Sequence, residues 1–327
     1  MEKWLKIATP LLLLVFLVLA GCSENPSANS KNTEGKLQVY TSIYPLYDFA
    51  KKIGGSHVAV TNLIPPGVDP HSFELQARDM GKLSEADLLV YNGGGFEPWM
   101  ERVKKMLDPD KIRVVNAAES ILPDGGQASR EVSHEISHEH GHGDEHLENG
   151  SDPHVWLDPQ LAKQQAAAIR DALMQLDASH KDEYMKNYDQ LASELDQLDQ
   201  EFREMAARAP KKEFVVSHAS FTYLAKRYGL EQIAVSGLSP SDEPSPQELK
   251  KIIEHVKEHD IDVILFETLV SSKMAQVIKN EIKAEALVLN PLEGLTETEM
   301  KRGEDYFSVM RKNKENLAKA LGVAISE

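Results

Sequence analysis

Five of the chain's twelve histidines fall within thirteen residues, at His134, His138, His140, His142 and His146, interleaved with Glu135, Glu139, Asp144 and Glu145. Imidazole is a good donor to divalent transition ions, and no lysine or arginine lies between Glu131 and Glu148 to repel a cation. Gly141, Gly143 and a scarcity of apolar residues argue against a packed element. The tract therefore reads as a solvated loop that captures metal, not as a plain acidic linker. His134-Glu135-Ile136-Ser137-His138 also matches the H-E-x-x-H signature of zinc peptidases. That signature works on a buried helix with both histidines on one face, and these flanks offer no apolar face to bury. The tract indicates that metal matters without indicating where it is finally held.

Four other segments place metal-competent side chains just beyond a predicted strand or in a turn. They are Pro65-Pro66-Gly67-Val68-Asp69-Pro70-His71-Ser72-Phe73-Glu74, Asp152-Pro153-His154-Val155-Trp156-Leu157-Asp158-Pro159, Ser217-His218-Ala219-Ser220-Phe221 and Asn290-Pro291-Leu292-Glu293-Gly294. Prolines and tight turns fix the backbone, so a ligand residue there loses less entropy on binding. Trp156 and Phe73 read as packing residues. His57 and His180 have no comparable setting. His255 and His259, four apart on a predicted helix, read as a solvated face and not as a chelating pair. Gly93-Gly94-Gly95 lacks the G-K-[ST] that would make it a phosphate cradle.

Such turns need elements to hold them. Short β-rich runs alternate with helical patterns: strands over 37–41, 58–63, 87–91 and 112–115, and helices over 45–53, 76–86 and 98–106. The alternation predicts right-handed β-α-β units on a parallel sheet. Helices over 161–176 and 181–207 follow the His-rich tract. In the second, Tyr184, Tyr188, Leu191, Leu195, Leu198 and Phe202 mark one apolar face. The alternation then restarts, with strands over 214–216, 231–235, 263–266 and 286–289. The accompanying helices run over 221–228, 246–259, 272–283 and 305–321, and Ser245, Pro246 and Glu248 supply an N-terminal cap for the second of them. The fold class is α/β, as two β/α lobes with parallel sheets flanking a long helix. The metal-competent turns fall at carboxyl ends of strands, where open α/β sheets gather ligands.

The motifs His71-Ser72-Phe73-Glu74, Asp152 to Pro159 and Ser217-His218 resemble those of the zinc- and manganese-binding lipoprotein receptors of bacterial ABC importers, the ZnuA-like and TroA-like family. The resemblance covers about residues 37–322. It implies a rigid long helix joining the lobes and a metal in the cleft between them, held by His71, His154, His218 and a carboxylate. In the manganese-selective branch a glutamate stands where this chain has His218. Three nitrogens and one oxygen suit four-coordinate Zn²⁺, whereas Mn²⁺ prefers oxygen. An acidic His-rich insertion is also characteristic of the zinc branch. Many zinc receptors of the family carry an aspartate where Asn290 stands. The fourth ligand is therefore contested between Glu293 and Glu267. Glu293 is favoured, with Gly294 freeing its backbone, and Glu267 becomes an acceptor for a ligand imidazole. The function this implies is a zinc-binding receptor that passes Zn²⁺ to a membrane permease and its ATPase, with no chemical step. The alternatives are a zinc hydrolase using Glu74 or Glu267 as base, or a manganese receptor or adhesin of the same fold.

The ends fit that picture. Lys3 and Lys6 precede an apolar run over 11–20 that is short for a membrane span and suits a secretory signal. Leu19-Ala20-Gly21-Cys22 resembles a bacterial lipobox, and acylation of Cys22, the chain's one cysteine, would anchor the protein on the extracytoplasmic face of the cell membrane. The expected organisation is a signal at 1–21, a tether at 22–35 and an N-terminal lobe at 36–180 that includes the His-rich loop at 127–150. A linking helix at 181–209 and a C-terminal lobe at 210–327 complete it. Removing residues 1–21 leaves 34 basic against 51 acidic residues, a net charge of −17. Such a surface favours cations and disfavours nucleic acid, and the chain is expected to act as a monomer.

Overall fold

The computed structural model describes residues 35–122 and 152–324. The expected signal, Cys22, the tether up to residue 34 and the five histidines of the His-rich tract lie outside the described residues.

The first half contains β1 (Leu37–Thr41), α1 (Tyr44–Gly54), β2 (Val58–Asn62), α2 (Ala77–Leu83), β3 (Leu88–Tyr91), α3 (Met100–Met106) and β4 (Arg113–Asn116). Then come α4 (Pro159–Leu176) and α5 (Lys181–Arg208). The second half contains β5 (Glu213–His218), α6 (Thr222–Tyr228), β6 (Glu231–Ser236), α7 (Pro246–Glu258), β7 (Val263–Phe266) and α8 (Lys273–Ile282). It ends with β8 (Glu285–Val288), α9 (Glu297–Lys301) and α10 (Tyr306–Ala320).

Each half forms a four-stranded, all-parallel sheet, in the orders β2-β1-β3-β4 and β6-β5-β7-β8. The two orders are equivalent although no sequence repeat announces them. In each sheet the strand order reverses beside the first strand, β1 or β5, which opens a crevice beyond the carboxyl ends. Strands covered on both faces read as unbroken apolar runs: Leu88, Leu89, Val90 and Tyr91 of β3 are all buried.

A single core joins the halves. It runs from Val39, Phe49 and Ile169 through Leu195, Leu198 and Phe202 of α5 to Phe214, Tyr306 and Phe307. The outer face of each sheet has its own smaller core. The 28 residues of α5 make a rod about 42 Å long. Tyr184, Leu191, Leu195, Leu198 and Phe202 are buried along it, while Tyr188 is only partly buried under the Arg170 guanidinium, 4.2 Å from its ring centre. The Ser245–Glu248 capping box and Pro246 open α7 as their spacing predicts.

Two local features depart from the sequence-based expectation. The strand predicted over 214–216 runs over 213–218, so His218, expected at that strand's end, is its last residue and pairs with Ser236. Helix α9 has no counterpart in the predicted elements, because five residues are too few to show a period. Its signal was the capping box formed by Thr296 and Glu299.

Candidate metal centre

Two identical tripeptides set two of the histidines. In Asp69-Pro70-His71 and Asp152-Pro153-His154, the aspartate Oδ1 accepts the backbone N–H of the histidine, at 3.0 and 2.9 Å. The proline between them restricts φ, so each histidine enters a one-turn 3-10 segment with its backbone fixed. Asp152 does more: its Oδ1 lies 2.8 Å from His154 Nδ1. A carboxylate there selects the tautomer with a proton on Nδ1 and leaves the Nε2 lone pair free. The Pro153 carbonyl accepts from the Asn92 side chain at 2.9 Å, and a Cβ on Gly94 would lie 3.4 Å from Pro153 Cα. Gly94, with φ +65°, thus packs beside the His154 segment at ordinary contact distance. The buried Glu97 carboxyl accepts from Asn92 N and from Gly93 N, the first of the glycine run, at 2.8 and 3.1 Å.

The second half contributes from β5 and from the turn after β8. His218 Nδ1 lies 2.6 Å from Glu267 Oε1, which again turns Nε2 inward. In the Asn290–Gly294 turn the unusual backbone is at Leu292, buried with φ +57°, and not at Gly294, whose φ is not positive. A left-handed leucine costs free energy. It is held there by Asn290, whose Oδ1 accepts from Leu292 N at 2.8 Å and whose Nδ2 donates to Glu299 at 3.2 Å. Two bonds from the first half brace the same turn: the Trp156 indole donates to the Pro291 carbonyl at 2.8 Å, and Tyr44 N donates to the Glu293 carbonyl at 3.3 Å.

These devices bring four side chains to one point. Glu293 Oε1 lies 3.1, 3.3 and 3.2 Å from Nε2 of His71, His154 and His218, and the last two nitrogens are 3.4 Å apart. A tetrahedral zinc ion with bonds of about 2.0–2.1 Å holds its donors about 3.3–3.4 Å apart. His154, His218 and Glu293 are 0–1 % exposed, and His71 at 13 % is the one donor open to solvent.

Residues 39–320 match the ZnuA family, described as "Zinc-uptake complex component A periplasmic". The chain belongs to the ZnuA family. It is 39 % identical over 308 residues to the high-affinity zinc uptake system protein ZnuA of Bacillus subtilis, covering 94 % of each chain. It is 38 % identical to the zinc-binding lipoprotein AdcA of Streptococcus pneumoniae, covering 94 % of this chain and 59 % of that longer protein. Among solved structures, the Zn(II)-bound ZnuA-like domain of that AdcA superposes with a TM-score of 0.70 at 36 % identity, over 88 % of this chain and 99 % of that one.

Within this ZnuA-family chain the charges are arranged for a cation. Burial drives the Glu293 carboxyl pKa up, yet the three imidazoles hold it well below the usual carboxylate value. Burial drives His218 down, but Glu267 and Glu293 outweigh it and push the pKa up to about 10. His154 is likewise raised, by Asp152 and Glu293 against burial.

Other candidates lie elsewhere. Glu74 is at the surface, 3.5 Å from Arg102, and does not face the cluster. His57 and His180 stack with ring centres 3.8 Å apart, against Glu183 and Asp177 respectively. His255 and His259 do not simply face water: both meet Glu213, 42 and 46 residues away, a contact helical spacing cannot reveal. Asp152, which orients His154, has one signal in the sequence, the repeated Asp-Pro-His.

Proposed function

We propose that this chain is an extracytoplasmic zinc receptor, capturing Zn²⁺ at His71, His154, His218 and Glu293 and delivering it to the permease and ATPase of an ABC importer. One observation carries the reading: four buried or nearly buried donors, three nitrogens and one oxygen, spaced at the edges of a zinc tetrahedron. Mn²⁺ favours sites richer in oxygen. A zinc hydrolase needs three ligands, an open water position and a base. Here Glu293 takes the fourth position, Glu74 is remote, and Glu267 is bonded to His218. The mechanism is capture and release. Acylation at Cys22 would hold the receptor on the membrane outside the cytoplasm.

Titration against a chromogenic zinc chelator tests this. The intact protein should withdraw one equivalent of zinc tightly, and His154→Ala should lose that equivalent while retaining its circular dichroism spectrum. Undiminished tight binding by His154→Ala would remove the cleft from the reading.

A further inference from the structure

At the other end of β5, three side chains converge that the cleft does not use. Glu213 opens β5 and His218 closes it, so the two ends are separated by about 16 Å. His255 and His259 lie at the C-terminal end of α7, four residues apart and therefore on one face. Their rings stack with centres 3.9 Å apart. Both address one carboxylate: His255 Nε2 is 3.0 Å from Glu213 Oε2, and His259 Nδ1 is 2.9 and 2.7 Å from Oε1 and Oε2. One donor atom from each residue lies within 4.8 Å of the other two.

We propose that Glu213, His255 and His259 form a second divalent-cation site, separate from the cleft, with water completing the coordination. Two imidazoles and one carboxylate suit Zn²⁺ better than the oxygen-seeking Ca²⁺ or Mg²⁺. A cation is favoured at this point for two further reasons. His259 caps α7, whose C-terminus carries partial negative charge. Glu213 is also in register with Glu231 on the neighbouring strand, and adjacent like charges are relieved by a bound cation. The nearby lysines are engaged with other oxygens: Lys211 Nζ with Asp260 O and Asp262 at 2.7 and 3.2 Å, and Lys212 Nζ with Ala206 O at 2.6 Å. The donors stand on a strand and a helix, so the site is preformed. With side chains 23–43 % exposed and coordination positions left to water, it binds more weakly and exchanges faster than the enclosed cleft.

The test uses the full chain and zinc chloride. Crystals soaked in zinc should show an anomalous peak at the zinc edge between these three residues, absent from His255→Gln/His259→Gln and from Glu213→Gln. In calorimetry both variants should lose one weak zinc equivalent and keep the tight one. No peak at this position, or weak binding equal to that of the unaltered protein, overturns the proposal. Loss of only the tight equivalent in a cleft variant leaves it standing, so the two sites fail separately.

Discussion

Glu293 Oε1 is within 3.3 Å of three imidazole nitrogens, whereas Glu267 reaches only the far nitrogen of one of them. The two carboxylates should therefore differ when removed. Glu267→Ala costs His218 its orientation, a loss of about 10–100-fold in affinity for groups of that kind. Glu293→Ala should cost more, since it deletes a donor and the negative charge around which the imidazoles gather. Equal losses in a chelator competition would reverse the assignment. Protons compete for the same nitrogens. In the metal-free protein the raised His218 pKa adds stability that is complete below pH 6.5 and gone once pH passes about 10. The depressed Glu293 pKa adds stability that is present above pH 4.5 and falls away as acid protonates the carboxyl. Zinc needs the lone pairs those protons occupy, so binding should release protons and tighten as pH climbs from 6.5 towards about 10. Calorimetry in buffers of different protonation heat would measure the release, and a buffer-independent enthalpy would contradict it.

Elements decide which histidines can serve. His71, His154 and His218 are held by proline turns and a strand end, while the five histidines at 134–146 come from a tract with no periodic pattern. Ligands that must first be ordered bind more weakly. Deleting residues 127–147 should therefore remove the weak zinc equivalents that the tract supplies, while preserving one tight equivalent and the weak one at Glu213, His255 and His259. Loss of the tight equivalent in calorimetry would move the principal site into the tract. Strands and long helices were legible in the chain because their apolar patterns are local: β1 and β7 have the bounds that their side chains predict. The placement of His71, His154, His218 and Glu293 was expected from motifs and resemblance, not from periodicity. Contacts across the sheet, such as Glu213 with His255 and His259, and the left-handed Leu292 depend on tertiary packing that no local pattern encodes. Gly294 drew attention as the flexible residue of its turn, yet the strain lies two positions earlier and is paid for by Asn290 and its partners.

At the scale of the molecule the halves are latched together. Lys52 reaches Asp305 at 2.8 Å, Tyr306 donates to the Trp156 carbonyl at 2.6 Å, Tyr223 donates to the Asp152 carbonyl at 2.9 Å, and Arg227 pairs with Asp158 at the cap of α4. Acylation is the one role proposed for Cys22, so Cys22→Ser should leave folding and zinc binding unchanged while shifting the protein from the membrane fraction to the soluble one. Retention on membranes after a high-salt wash would end the lipid-anchor reading. The equivalent strand orders have one more consequence. On the proposed reading each half brings two donors, His71 with His154 and His218 with Glu293, so the centre would be two bidentate chelators facing each other. Neither pair alone should make a tight site; the affinity would reside in the effective concentration one pair presents to the other. A transporter that parts the halves by an ångström or two could therefore discharge the ion without touching a single ligand.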